Sequence, residues 1–549
     1  MRGSADVVVV GSGPVGLKLA LDLADAGLKV LLLESGSDGR ERASQELSDA
    51  TIANPNAHAP MALAVRRGFG GTSALWGGRA VPLDDVDFAR RPYARQARWP
   101  LNLNDIAPWY DQACRFFGCG AAKFEDGVFA ELEAKADGLR LDRLERWCAN
   151  PKLRYVHGVR AKNHRNLRIA LGATVLRVNV DAERKAVCDL VVDVDGVREH
   201  ITARSYVIAA GGLETARLLL ASRMTQPGLF GGPEGPLGRF YMGHIFGSIA
   251  DIVFDRPGMD LEFDFRRDAE GRYVRRRFVL DDKTQQQNGV LNMAAWPEPP
   301  PLDDPRHGSG ILSLAYLALR SPIVGPMLSP EAIRVRKLGT AHRPLGAHAL
   351  NVLKDGFASS LLAAKFLRAR YAQRVRLPGF FVPNAARRYV FQYHGEHLPN
   401  AASRVFLSDR TDALGQPRLS IDLRFGESDA ASIVKTHELM DRRLRAAGIG
   451  RLEHDMPEEQ RISAVLAQAS DGFHQIGTAR MSAAERDGVV DRNARVHGLT
   501  NLFLAGSAVF PSSGQANPTL TAVALAARLG AHLQDVQRTL PSTIDALAS

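Results

Sequence analysis

The run that most limits what this chain can fold into is its opening one, DVVVVGSGPVG at residues 6–16, continued to VLLLE at 30–34. An apolar run enters Gly11, Gly13 and Gly16. A stretch apolar at helical spacing follows through Leu17, Leu21 and Leu23, and a second apolar run closes on Glu34. Strand, glycine turn, helix and second strand are the parts of a dinucleotide site. Gly11 allows the tight turn, Gly13 lets backbone approach a pyrophosphate, and Gly16 lets helix and strand pack closely. The helix start offers free N–H groups and a positive dipole end to phosphates. Glu34, 18 residues after Gly16, is placed to accept from a ribose diol. An acid there, with no arginine beside it, argues against a 2′-phosphate and so against NADP. It does not separate FAD from NAD.

A chain of 549 residues exceeds one simple core, so two domains are expected. No run of ~18 apolar residues exists, so no transmembrane segment is expected. A first strand beginning near Asp6 leaves no room for a signal peptide, which points to a cytoplasmic protein. Four cysteines give no disulfide framework. The net charge of +10 reads as a solubilising surface, because Lys and Arg look scattered and no basic arm accompanies them; no nucleic acid partner is expected.

Residues 35–50 are polar and read as a surface loop with a short helix. Residues 67–82, RGFGGTSALWGGRAVP, hold Gly68, Gly70, Gly71, Gly77 and Gly78. Glycine at that density is costly to order. It is either a mobile loop or backbone lying flat against a cofactor, and the second reading is preferred. Residues 99–114 predict a capped helix with Asn104 or Asp105 near its N-cap. Cys114 and Cys119 flank its end and read as buried and structural, not as a redox pair. Strand-like runs at 167–180, 187–194 and 200–208 lead into VIAAGGLETARLLL at 207–220, a further strand, glycine turn and helix returning to the cofactor sheet.

Residues 250–460 differ in composition. Strand-like runs at 249–254, 276–280 and 389–393 mix with a basic helical stretch at 332–376. Its Leu350, Leu353, Phe357, Leu361, Leu362 and Phe366 fall on one face. A helix packed between domains is the preferred reading, with an interfacial membrane helix as the alternative. No second strand–GxGxxG–helix unit occurs, so one dinucleotide is expected. The last 80 residues carry HQIGTARM at 474–481, LFLAGSAVFP at 502–511 and GQANPTLT at 514–521. Asn517-Pro518-Thr519 reads as a helix start. With His474 in a glycine-bordered loop, this is one base-like side chain beside oriented donors.

These motifs, together with AAGGLETARLLLAS at 209–222 and HLPNAASRV at 397–405, resemble those of the glucose–methanol–choline (GMC) oxidoreductases, an FAD-dependent family. The resemblance runs along almost the whole chain and in family order. TSALWGGRAVPLD (72–84) and WPLNLNDIAPWYDQA (99–113) suggest the branch holding pyranose oxidase, sugar dehydrogenases and glycoside oxidases. It implies an α/β fold, α+β overall. A Rossmann-like FAD domain of the p-hydroxybenzoate hydroxylase type would be interleaved with a discontinuous substrate domain on an antiparallel sheet. The implied segments are 1–98, 166–245 and 466–549 for FAD, 99–165 for helices or a lid, and 246–465 for substrate.

By the same resemblance, His474 and its partner Asn517 are the catalytic pair. The implied FAD contacts are Gly11, Gly13, Gly16, Glu34, Gly71, Thr72, Ser73, Trp76, Gly77, Val175, Ala210, Gly211, Gly506, Ser507, Asn517, Pro518 and Thr519. Where some members attach flavin covalently through a histidine, this chain has Leu75, so FAD is expected to be non-covalent; no metal is expected. The implied reaction is oxidation of a sugar, glycoside or polyol CH–OH to a carbonyl, with hydride passing to flavin N5 and electrons then to oxygen or another acceptor. The alternatives are a flavin monooxygenase reduced by NAD(P)H, or an oxidoreductase of a sterol or other lipophilic alcohol at a membrane surface.

Overall fold

The valine run becomes the middle strand of a parallel sheet. The computed structural model describes residues 5–39, 41–329, 334, 338, 345–379 and 381–539. In it, five strands lie in the order Leu502–Leu504, Ala203–Ile208, Ala5–Val10, Val30–Glu34 and Leu167–Leu171, every pair parallel. Val7, Val8 and Val9 are fully buried, with helix Pro14–Asp25 and the strands Ala173–Asp181 and Ala186–Val194 packed against the sheet, and burial on both faces is the condition under which an unbroken apolar strand is stable. One covering helix, Pro14–Asp25, packs against the long Thr519–Thr539. Gly16 sits where that helix meets the sheet, and a Cβ there would lie 1.9 Å from the Gly11 carbonyl oxygen. The two ends of the chain thus share one core.

A second, antiparallel sheet of six strands runs Gly450–Glu453, His244–Phe254, Arg388–Glu396, Met293–Glu298, Phe278–Leu280, Leu139–Arg140. It has its own core, in which Ile245, Phe278, Tyr389 and Phe391 pack with Ile433 and Met440 of helix Glu427–Ala446. Side chains tie this half to the parallel one. Arg277 Nη1, for example, donates to Gln515 Oε1 at 2.7 Å.

Several sequence-based boundaries shift. The run 167–180 is two strands, because Gly172 at φ +68° turns the chain out of the parallel sheet into a three-stranded meander. Likewise 200–208 divides into Val197–Ile201 and Ala203–Ile208. Residues 276–280 divide at Arg277, whose N–H donates to the Arg143 carbonyl, so that Tyr273–Arg276 and Phe278–Leu280 join different sheets. The helix Leu103–Phe117 is capped by Asn102, with Asp105 close by in its first turn. Asn102 Oδ1 accepts from the Asp105 N–H, and the Asp105 carboxylate accepts in return from the Asn102 N–H. Cys114 and Cys119 are buried and free, and neither borders the large cavity described below.

The basic helical stretch departs most from its preferred reading. Part of it, 332–333, 335–337 and 339–344, lies outside the described residues. The rest forms Leu345–Lys354 and Gly356–Tyr371, on which Leu350, Leu353, Leu361 and Leu362 are exposed, not packed between domains. These helices pack chiefly against each other and Gly310–Arg320, so one side of each is left to solvent. Among the described residues no helix is long and apolar enough to cross a membrane.

Candidate active site

A cavity of about 540 Å³ opens at the carboxyl ends of the parallel strands, where the chain order reverses between Ala5–Val10 and its two neighbours. Ligands bind open α/β sheets at such a switch point. Its first wall is glycine. Gly11, at φ +99°, makes the turn out of the first strand, and a Cβ there would lie 2.6 Å from the Ala209 carbonyl oxygen. Gly13 has nothing within 4 Å of where a Cβ would stand, so its backbone is open to a ligand. The loop at 70–74 closes over it, with a Cβ on Gly71 reaching 2.7 Å from Gly13 Cα.

Glu34 is buried at the far end of this wall. Its carboxylate accepts four hydrogen bonds: Ser12 N–H at 3.0 Å, Ser12 Oγ at 2.7 Å, Gly36 N–H at 3.0 Å and Gly68 N–H at 3.0 Å. Ser12, the middle residue of Gly-Ser-Gly, was not singled out from sequence. A hydroxyl between two glycines facing an acid was the available signal. The structure also places an arginine near this end that sequence adjacency did not show. Arg67 Nη1 donates to Ser35 Oγ at 2.6 Å, while Nη2 pairs with Glu214 and Nε donates to Ser48. Its charge is therefore matched by a carboxylate.

The cavity brings together Gly11, Gly13, Glu34, Gly71, Thr72, Ser73, Trp76, Gly77, Val175, Ala210 and Gly211 with Gly506, Ser507, Pro518 and Thr519. Gly16 stands behind the wall. Leu75 also faces the cavity. Gly506, like Gly13, has no atom within 4 Å of where a Cβ would stand, a second stretch of open backbone.

At the opposite end the wall is made of side chains. His474 follows Gly472, which at φ +103° passes so close to His58 that a Cβ would lie 2.7 Å from its ring. The imidazole is held at both nitrogens. Nδ1 is 3.0 Å from Asp471 Oδ2, and Nε2 is 2.9 Å from Asn517 Nδ2. A carboxylate accepts and does not donate, so Nδ1 carries the proton and the Nε2 lone pair accepts from the Asn517 amide. Asn517 Oδ1 is buried without a partner, an acceptor left for something in the cavity.

Asp471 was missed from sequence, where DGFH offers only an acid three residues before a histidine. It is buried and accepts also from the N–H groups of His244, Phe473 and His474. Against its burial, His474 and His244 hold its carboxyl well below the usual range. His244 stacks on His394 with ring centres 4.3 Å apart, and its Nδ1 is 3.0 Å from His474 Nδ1. Burial lowers His244 to about 4 and drives His394 down as well, so both rings are neutral near pH 7. The three imidazoles offer nitrogens within 4.8 Å of one another, a spacing that suits a cation. Asp471 and Asn517 nevertheless engage both nitrogens of His474, and the Gln515 carbonyl engages His394 Nδ1.

The remaining wall beside His474 is polar and aromatic: Arg79, Glu298 and Phe473. Arg79 lies over the Trp296 ring at 4.4 Å and pairs with Glu145; burial lowers it to about 10. Glu298 Oε1 accepts from Trp296 Nε1 at 2.9 Å. Arg79 and Glu298 lie in the stretches 72–84 and 290–300, which carried no catalytic signal in sequence.

The family described as FAD dependent oxidoreductase matches residues 6–284, and the one described as GMC oxidoreductase matches residues 399–526. The chain is 23% identical to the 2-methyl-1,2-propanediol dehydrogenase of Mycolicibacterium austroafricanum, over 99% of this chain and 98% of that protein. It is 24% identical to the fructose dehydrogenase large subunit of Gluconobacter japonicus, over 96% and 97%. A crystal structure of formate oxidase shares the fold with a TM-score of 0.53 at 15% identity, covering 98% of this chain and 99% of that one.

Proposed function

The chain belongs to the FAD-dependent GMC oxidoreductases, and from that premise we propose that it oxidises the CH–OH group of a polyol, sugar or glycoside to a carbonyl. The observation that carries this reading is His474, with Nδ1 fixed on Asp471 and Nε2 directed at Asn517 on the cavity wall. The residues present fit FAD. Open backbone at Gly13 and Gly506 leaves room for a pyrophosphate and a flavin edge, and of the donors on Glu34 the Ser12 hydroxyl is the one a ribose hydroxyl can replace. When bound, FAD supplies the acceptor for the hydride that leaves the substrate carbon.

The chain's own work is positioning and proton transfer. Asn517 presents its amide N–H and its unpartnered Oδ1 to the substrate oxygen, limiting its rotation. His474 takes the hydroxyl proton at Nε2 once the substrate hydroxyl displaces the Asn517 amide N–H from that lone pair, while Asp471 stabilises the resulting imidazolium from Nδ1, a base contribution of typically 10²–10⁴-fold. The polar wall of Arg79 and Glu298 suits a substrate with further hydroxyls. Two relatives named for a propanediol and for fructose support that class.

FAD is held without a covalent bond in this reading. Leu75 has no nucleophilic atom, and no Cys, Lys or Tyr lines the cavity among the described residues. Segments 1–98, 166–245 and 466–549 form the FAD half, supported by the strands they contribute to one sheet. Four free cysteines, with Cys188 exposed, suit a reducing compartment, so the cytoplasm is proposed. The test is anaerobic: polyols, sugars and glycosides are mixed with the yellow protein and the flavin absorbance followed. Bleaching by members of this panel and not by NADPH is expected. Bleaching by NADPH alone would overturn the reading.

A further inference from the structure

The net charge of the chain is concentrated, not scattered. Residues 320–376 hold 11 Lys and Arg against 2 Asp and Glu, a balance of +9 out of a total of +10. The rest of the chain holds 59 basic against 58 acidic residues. The same segment gathers exposed apolar side chains. Of the 19 large apolar residues exposed among those described, 10 fall between positions 323 and 371, including Met327 at 75% and Leu353 at 79%.

Among the described residues, eight of these cations and the exposed apolar side chains belong to one appendage. Helices Gly310–Arg320, Val324–Leu328, Leu345–Lys354 and Gly356–Tyr371 are inserted between neighbouring strands Met293–Glu298 and Arg388–Glu396. Their own buried core is three residues, Leu302, Leu312 and Tyr316, too few to employ the apolar side chains they carry. Along Gly356–Tyr371, Leu361, Leu362 and Leu367 are exposed beside Lys365 and Arg368. Long basic side chains can lie along an apolar surface and lift their charge to its edge.

We infer that this helical insertion docks in the plane of an anionic lipid surface. Apolar exposure alone would suit a lipid, a protein or a second copy of the chain, and the charge decides among them. A second copy would set +9 against +9 across the contact. A neutral bilayer would use the leucines and leave the charge idle. An anionic interface takes up both, with apolar side chains at the headgroup boundary and the cations among phosphates. No described helix spans a bilayer, so attachment is peripheral and reversible.

The experiment is flotation of the FAD-loaded full chain with vesicles of phosphatidylcholine alone and with one-third phosphatidylglycerol. Binding to the second and not the first is expected, weakening at ~1 M salt, where charges are screened beyond ~3 Å. Arg368→Gln with Arg374→Gln should weaken it about 25-fold, from roughly fivefold per charge. Leu353→Glu with Leu361→Glu should abolish it. Flavin content and melting temperature, unchanged in both variants, show that they fold. A wild type that stays with neither vesicle overturns the inference, as does equal binding to both. So does a concentration-dependent dimer that Leu361→Glu dissolves while vesicles capture nothing.

Discussion

The two ends of the cavity are built from opposite materials. At the Glu34 end, position is set by what is missing: glycines whose absent side chains let two backbones and a helix start converge. At the His474 end it is set by what is present: imidazoles and a buried carboxylate that fix one another by charge and hydrogen bonding. The first arrangement tolerates almost no added volume. The second tolerates volume better than any change of charge or protonation. Binding and chemistry should therefore fail separately, and under different insults.

The largest effect expected is at the glycine end. Gly16→Ala would set a methyl 1.9 Å from the Gly11 carbonyl oxygen and prise helix from strand, a cost on the order of 4 kcal/mol or more. The purified variant should be colourless and melt early; full flavin content would show that the turn gives way more easily than the packing implies. At the other end, His474→Ala should leave flavin bound and slow its reduction by substrate by about 10²–10⁴-fold. Asp471→Asn should slow it less, by on the order of tenfold, because Nε2 survives while the tautomer is no longer fixed. Wild-type bleaching rates for His474→Ala in anaerobic stopped flow would remove His474 from the reaction.

A further test reads the histidine end through pH. His244 is buried and neutral, with its pKa lowered by burial to about 4 against 6.5 in the unfolded chain. Between those values the unfolded chain binds a proton that the folded one refuses, so stability falls as pH drops from 6.5 towards 4. The loss is about 3 kcal/mol for this group. The Asp471 carboxyl, held low, contributes stability that is present above its ordinary pKa and lost only in stronger acid. Melting curves across that window should slope less steeply for His244→Asn than for the wild type. Equal slopes would place the acid sensitivity elsewhere.

The glycine end was legible in the sequence because its requirements are local: a strand, three glycines, a helix and an acid within residues 6–34 already specify the turn. His474 and Asn517 were legible as motifs, 43 residues apart, and the structure sets them 2.9 Å from each other. Asp471, His244, His394 and Arg79 were not, because each gains its meaning from a neighbour on another element. The strand-like runs were legible but their breaks at Gly172 and Arg277 were not, since a strand that changes sheets keeps its apolar pattern across the change.

Local chemistry, then, was determined by the sequence itself: glycine geometry and strand patterning act over a few residues, and no distant partner is needed to read them. Which charges face one another, which histidine is neutral, and whether the leucines of 345–371 look inward or outward were decided only by tertiary structure. Burial and electrostatics depend on distances between elements, and those distances exist only once the chain has closed on itself.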